Sequence, residues 1–456
     1  MGGINLHVIS MSLRSLIPGE IKVALDALLL ISVDQHVLIP VTECEDIVDG
    51  LVDVGEDAIE RIAKIFGKNS EVLPEFDSYE DMVLAAKEEY EGLTTAIHSG
   101  SPDYELEILT GRLSAVTTIM RNLTFYEQNQ EIFARPTCSA RRFWAVLMRA
   151  VANTGVVAKN ASKAVRLAIV KDVVVVLSNV AHETLLDNSD EALWVLSLVA
   201  AFAPAVAPTP AGMASGAAAW PAYVPSKQRY LQLAVDVLAK MLARETPNID
   251  VVKAVITATA TDAATITMNT GLAMTLFRLC MSTFPRQTDP SVLPRAFEVR
   301  RPVLEQAMFA ADVLARILLD STSRQHDGDR GNSGINISST NTGDNDDSDM
   351  IDVEDWPVAS SAATAAVAAS VTQTLVPYLN AFVRPFLIRA ATVLSGFVQH
   401  PPSATAPNFF TTNNNTTTDL NPFSRVVRKA AGAVSKIHQT AGLDPDSELE
   451  MLVLRM

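Results

Sequence analysis

One short apolar phrase recurs along the chain. It appears at 24–31 (ALDALLLI), 116–123 (VTTIMRNL), 173–180 (VVVVLSNV), 234–241 (AVDVLAKM), 310–317 (AADVLARI) and 430–437 (AAGAVSKI). Apolar positions at i, i+3, i+4 and i+7 put one wide stripe on a helix face. Most remaining positions of the phrase are apolar too, which predicts central, buried helices with Leu28, Met120, Leu177, Leu238 and Leu314 directed into a continuous core. Between the phrases lie more polar amphipathic stretches joined by polar or proline-bearing links. Buried helices alternating with such stretches predict an all-α chain, an armadillo/HEAT-like right-handed α-solenoid. The phrases are spaced more loosely than the roughly 40 to 47 residues of such repeats, so insertions are expected between them.

The insertions are visible as breaks in the pattern. Residues 201–226 are rich in Ala and Pro and read as a loop or arm. Residues 68–101 form another candidate, within which 78–93 could be an acidic surface helix. The strongest break is 321–356, where nine carboxylates face only Arg324 and Arg330 amid Ser, Asn and Gly. Such a composition buries too little apolar surface to offset the entropy of ordering, so disorder is expected there. The domain reading is therefore helical repeats over 11–320, an acidic disordered insertion over 321–356, and further helical repeats over 357–456 with an Asn/Thr-rich loop at 401–421.

Composition supports this picture. The 456 residues are 48% hydrophobic but only 6% aromatic, which suits helices of Ala, Val and Leu better than a strand-rich fold. A net charge of −16 opposes the broad basic face that a phosphate backbone requires, so no direct nucleic-acid binding is expected. Cys44, Cys138 and Cys280 lie far apart and make no disulfide framework, which fits a reducing compartment. The opening thirty residues carry no secretory pattern, and the long uncharged stretches are broken by proline or dominated by Ala, Ser and Thr, so no membrane span is expected.

Chemistry is hard to find. His7, His36, His98, His182, His326, His400 and His438 are scattered, without metal-ligand spacing. Phosphate loops, dinucleotide fingerprints and hydrolase elbows are missing. Carboxylate clusters such as Glu43, Glu45, Asp46 and Asp49 fit a solvated or capping helix face. The expectation is a protein with no catalytic residues, no metal and no cofactor. The polar positions of the phrase are more informative. Asn122 and Asn179 occupy one register, and Lys240, Arg316 and Lys436 follow in it. An amide supplies both a donor and an acceptor, so such a ladder could grip a partner helix in a solenoid groove; alternatively these side chains bond neighbouring loops or face solvent.

Several blocks in order carry a family resemblance. They are MSLRSLIPGEIKVALDALLLISVD, GLVDVGEDAIERIAKIFG, LSAVTTIMRNLTFYEQNQEIF, VKDVVVVLSNVAHETLL, LQLAVDVLAKMLARETPNIDVV and VRKAAGAVSKIHQTAGLDPDSELEML. Together they resemble the C-terminal, armadillo-like core-binding region of the ARID-bearing subunit of fungal SWI/SNF chromatin remodellers. The opening block and the order of the blocks carry the likeness. No ARID module stands in this sequence, so DNA contacts of the family are not transferred to it. The resemblance implies a nuclear, non-catalytic scaffold that grips a helical segment of the remodeller ATPase subunit and contacts other SWI/SNF core subunits. A generic armadillo or HEAT adaptor in nuclear transport or trafficking is the alternative.

Overall fold

The computed structural model describes residues 5–67 (except 35), 72–92, 100–205, 223–257 (except 245), 263–285, 293–328, 424–441 and 443, with a few single positions between 369 and 388. Among the described residues the regular structure is entirely helical. The helices are α1 (Leu6–Leu13), α2 (Pro18–Val33), α3 (Glu45–Phe66), α4 (Tyr79–Gly92), α5 (Pro102–Leu123), α6 (Glu127–Ala134), α7 (Ser139–Val151) and α8 (Val156–Asn160). After them come α9 (Lys163–Val180), α10 (Ser189–Ala200), α11 (Leu231–Ala243), α12 (Asn248–Ile256), α13 (Ala263–Ser282), α14 (Leu293–Gly328) and α15 (Ser424–Thr440).

Local chemistry sets many of the boundaries. Ser101, Ser162 and Asn188 each accept a hydrogen bond from a backbone N–H in the first turn of α5, α9 and α10. These bonds satisfy donors that have no partner inside the helix. Pro18 and Pro102 open α2 and α5, where a missing N–H costs nothing. Gly67, at φ +89°, closes α3 in a conformation that a β-carbon would strain.

The helices form two layers. In the first, each member packs on the next in the order α2, α5, α9, α11, α14, α15. The second follows the order α3, α7, α10, α13 and packs across on α5, α9, α11 and α14. Short α6 and α12 lie between successive pairs. Each of the six recurrent phrases falls in a different first-layer helix. Leu28, Met120, Leu177, Leu238 and Leu314 are all buried in one continuous core. The amphipathic stretches between the phrases supply the second layer.

Close approach between layers has a local cause. A β-carbon at Gly55 of α3 would lie 2.5 Å from the ring of Phe143 on α7. That glycine lets the fully buried phenylalanine seat against the α3 backbone.

Within the insertion after α3, the described residues 72–92 are anchored to the rest of the chain. Glu75 accepts the Asn153 N–H at 2.9 Å through its carbonyl, and the Asp77 N–H donates to Asn153 Oδ1 at 2.8 Å. Arg166, buried in α9, holds Asp77 at 2.6 Å, the Val151 carbonyl at 2.8 Å and Asn153 at 2.7 Å. The chain then enters α4, the acidic helix expected at 78–93. One face of α4 is buried rather than solvated: Tyr79, Met82 and Ala86 pack inward, chiefly on α9 and on the rings of Phe202 and Tyr230.

The other insertions stand differently. Residues 206–222 lie outside the described residues, but both flanks are anchored: Phe202 and Tyr223 are buried, and the Tyr223 N–H donates to the Ser282 carbonyl at 2.8 Å. Helix α14 runs through Gly328, past the expected helix end at 320. The remainder of the acidic segment, 329–356, and the loop at 401–421 lie outside the described residues.

Gly55→Ala should lower stability by about 1–3 kcal/mol through overpacking against Phe143. Gly111→Ala, on α5 with no neighbour within 4 Å of the added carbon, should raise it by about 0.5–1 kcal/mol from helix propensity. Chemical denaturation of both variants checks the pair.

Candidate partner-binding site along the first-layer helices

The first layer is joined by a chain of polar contacts, and most of the ladder residues belong to it. Asn122, buried near the end of α5, donates from Nδ2 to Ser32 Oγ of α2 at 3.0 Å. Its Oδ1 accepts two bonds from the Arg121 guanidinium, at 3.2 and 2.9 Å. Arg121 in turn pairs with Asp172 of α9 at 2.6 Å. Asp172, buried, also accepts from the Thr118 hydroxyl at 2.7 Å. A carboxylate withdrawn from water needs such donors, because an unpaired one costs several kcal/mol.

The chain continues from α9 onwards. Asn179 donates to Thr124 Oγ1 at 2.9 Å. Ser178 donates to Asp236 of α11 at 2.6 Å, and Lys240 reaches both Asp236, at 2.6 Å, and the Ser178 carbonyl, at 2.7 Å. The second oxygen of Asp236 accepts from Gln306 of α14 at 2.6 Å. One carboxylate thus ties three successive helices together. Lys436 of α15 pairs with Asp312 of α14.

The five ladder residues therefore have unequal positions. Asn122, Asn179, Lys240 and Lys436 place polar atoms on neighbouring helices. Arg316 is exposed on α14. The register seen in the sequence is real, but most of its side chains bond between helices.

Sequence reasoning missed a second device. Asn129 on α6 and Asn248 on α12 are fully buried. Asn129 accepts the Val41 N–H at 3.0 Å and donates to the Ile39 and Leu123 carbonyls, both at 3.0 Å. Asn248 accepts the Leu186 N–H at 2.8 Å and donates to the Thr184 and Met241 carbonyls at 3.0 and 3.2 Å. Each amide clamps the link after one first-layer helix to the end of a later one. The signal available was an Asn shortly after the phrase, at the start of a short helix.

A groove of about 360 Å³ opens where α11, α14 and α15 meet. Ala239, Ala243, Phe309 and Val426 give it an apolar lining, with Lys240, Glu305, Arg425 and Lys429 among the polar groups. The Lys429 ammonium stands 5.0 Å from the centre of the Phe309 ring, a cation–π distance. Burial, then the charge of Arg425, push the Lys429 amine below its ordinary range, partly offset by Asp312 and Glu305. No group of ligating side chains able to hold a metal ion occurs among the described residues. No helix among them is long and apolar enough to cross a membrane.

Among the described residues, fold and site together define an all-helical arrangement of two stacked layers, cross-linked through one layer and open in a groove. No family model matches the chain. Two relatives do. Over 264 residues, 54% of its length, the chain is 25% identical to the SWI/SNF chromatin-remodeling complex subunit sol1 of Schizosaccharomyces pombe, of which it covers 30%. Over 178 residues, 37% of its length, it is 26% identical to the SWI/SNF chromatin-remodeling complex subunit SWI1 of Saccharomyces cerevisiae, of which it covers 13%. The chain thus spans less than a third of either relative. These homologues support kinship with SWI/SNF subunits.

Asn248→Ala should cost about 2–4 kcal/mol, since it leaves a buried N–H and two carbonyls short of partners. Asn179→Ala, at a partly exposed single bond, should cost about 1 kcal/mol or less. Urea denaturation of the two variants distinguishes a clamp from a peripheral contact.

Proposed function

We propose that this chain is a non-catalytic scaffold segment of a SWI/SNF-type chromatin-remodelling complex, acting in the nucleus. In this reading the two-layer stack is an armadillo-like right-handed solenoid. Its first-layer face holds a helical segment of the ATPase subunit while other surfaces meet further core subunits. The observation that carries the proposal is the similarity to sol1 over more than half of the chain, a protein named as a subunit of such a complex. The architecture suits the role, because stacked helices present a long surface and helix-in-groove docking needs an apolar channel with polar edges.

Within the ladder, the residues divide by task. Asn122 and Asn179 hold α2, α5 and α9 in register, so they shape the surface that a partner meets. Lys240 lines the open groove and Arg316 is exposed on α14, so in this reading both reach the partner directly. Hydrolysis of ATP belongs to the partner, and this chain contributes no cofactor.

Co-expression of the tagged chain with the remodeller ATPase subunit, followed by affinity purification, tests the proposal. The ATPase subunit and further core subunits should co-purify at near-equimolar ratio. Recovery of transport receptors without remodeller subunits, or of the folded chain alone, would overturn it.

A further inference from the structure

The groove between α11, α14 and α15 has a charge pattern at odds with the chain around it. The protein carries a net charge of −16. Helix α15 nevertheless contains Arg425, Arg428, Lys429 and Lys436 with no carboxylate. Lys436 is matched by Asp312. Among the described residues, neither Arg425 nor Lys429 forms an ion pair, and both line the groove beside the apolar surface of Ala243, Phe309 and Val426. Lys429 is drawn onto the Phe309 ring and shares its surroundings with Arg425. Two cations held together at an apolar floor repel each other, Asp312 and Glu305 offset this only in part, and a carboxylate arriving from outside would relieve the remainder.

The same molecule shows how an acidic amphipathic helix can seat on a first-layer helix, there through neutral donors. Helix α4 lies against α9 with Tyr79, Met82 and Ala86 turned inward at i, i+3 and i+7. Its carboxylates make the polar contacts. Glu89 accepts from the Ser162 hydroxyl at 2.7 Å and the Ala164 N–H at 3.3 Å, and Glu80 accepts from Gln228. An acidic amphipathic helix is thus already seated on one first-layer helix.

We propose that the α11/α14/α15 groove is a docking site for an acidic amphipathic helix of a partner protein. The helix lays its apolar stripe on Phe309 and Val426 and sets carboxylates against Arg425 and Lys429. This deepens the scaffold reading by naming the chemistry of one partner segment. The charge complementarity selects that occupant over a basic segment, which the two cations would repel.

The test uses the full chain and two synthetic helical peptides that share one apolar stripe at i, i+3 and i+7. One peptide is flanked by glutamates and the other by glutamines. In fluorescence anisotropy at about 0.1 M salt, where exposed charges still act over about 10 Å, the glutamate peptide should bind at least about tenfold tighter. Arg425→Gln with Lys429→Gln should abolish that preference, as should Arg425→Gln alone in part. The charge-matched control, Lys64→Gln with Arg142→Gln on the second layer, should retain it. Circular dichroism establishes that each variant is folded. Equal binding of the two peptides, binding of neither, or the same loss in the control would overturn the proposal. Capture of remodeller subunits by a chain that lacks the glutamate preference refutes the groove assignment alone; a persistent preference without capture refutes the scaffold reading alone.

Discussion

Two carboxylates, Asp172 and Asp236, sit where first-layer helices meet, and the arrangement of the stack depends on them. The faces that these helices present to each other are built largely from Ala, Val and Leu. Contact between such faces is favourable but non-directional, so many offsets between neighbouring helices bury similar area. A carboxylate in that setting removes the freedom. Asp172 must meet Arg121 and Thr118, and Asp236 must meet Ser178, Lys240 and Gln306. An offset of one turn would strand a charge at a cost of several kcal/mol. Helices α5, α9, α11 and α14 are thereby fixed in register, and the buried amides of Asn129 and Asn248 fix links between first-layer helices.

The scaffold role proposed above requires a stack held in register. Its surface is assembled from residues distant in sequence, so a partner reads correct geometry only when the repeats keep their spacing. The groove at α11, α14 and α15 illustrates the dependence: it is lined by three helices, and Gln306, bonded to Asp236, is part of its wall. The same contact that aligns α11 with α14 shapes the opening between them. The similarity to two SWI/SNF complex subunits accords with the proposal that this surface holds other chains.

Much of the fold was legible in the sequence because helical periodicity records burial directly. The six phrases pick out the first-layer helices, and the five leucine and methionine positions chosen from them are buried. The polar register was legible as a position, but the bonds its side chains make within the chain were not. Periodicity tells which way a residue points around its own helix, whereas the identity of the neighbour depends on packing between helices. Hence Asn122 and Lys436, read as candidates for a partner, bond Ser32 and Asp312 of their own chain. The clamp asparagines were hidden for a related reason. Asn129 and Asn248 stand in comparable places, but the long insertion at 201–226 obscures the repeat that would align them. Helix α4 was visible as an acidic helix, while its buried face was not, since Tyr79, Met82 and Ala86 make only a narrow stripe. The basic groove escaped notice because Phe309 and Lys429 are far apart in sequence.

Hydrogen exchange on Asp236→Ala tests the coupling most directly. If one carboxylate aligns three helices, amide protection should fall together in α9, α11 and α14, with the second-layer helix α3 unaffected as a distant reference. Loss of protection confined to α11, with α9 and α14 exchanging as in the unmodified protein, would contradict the account.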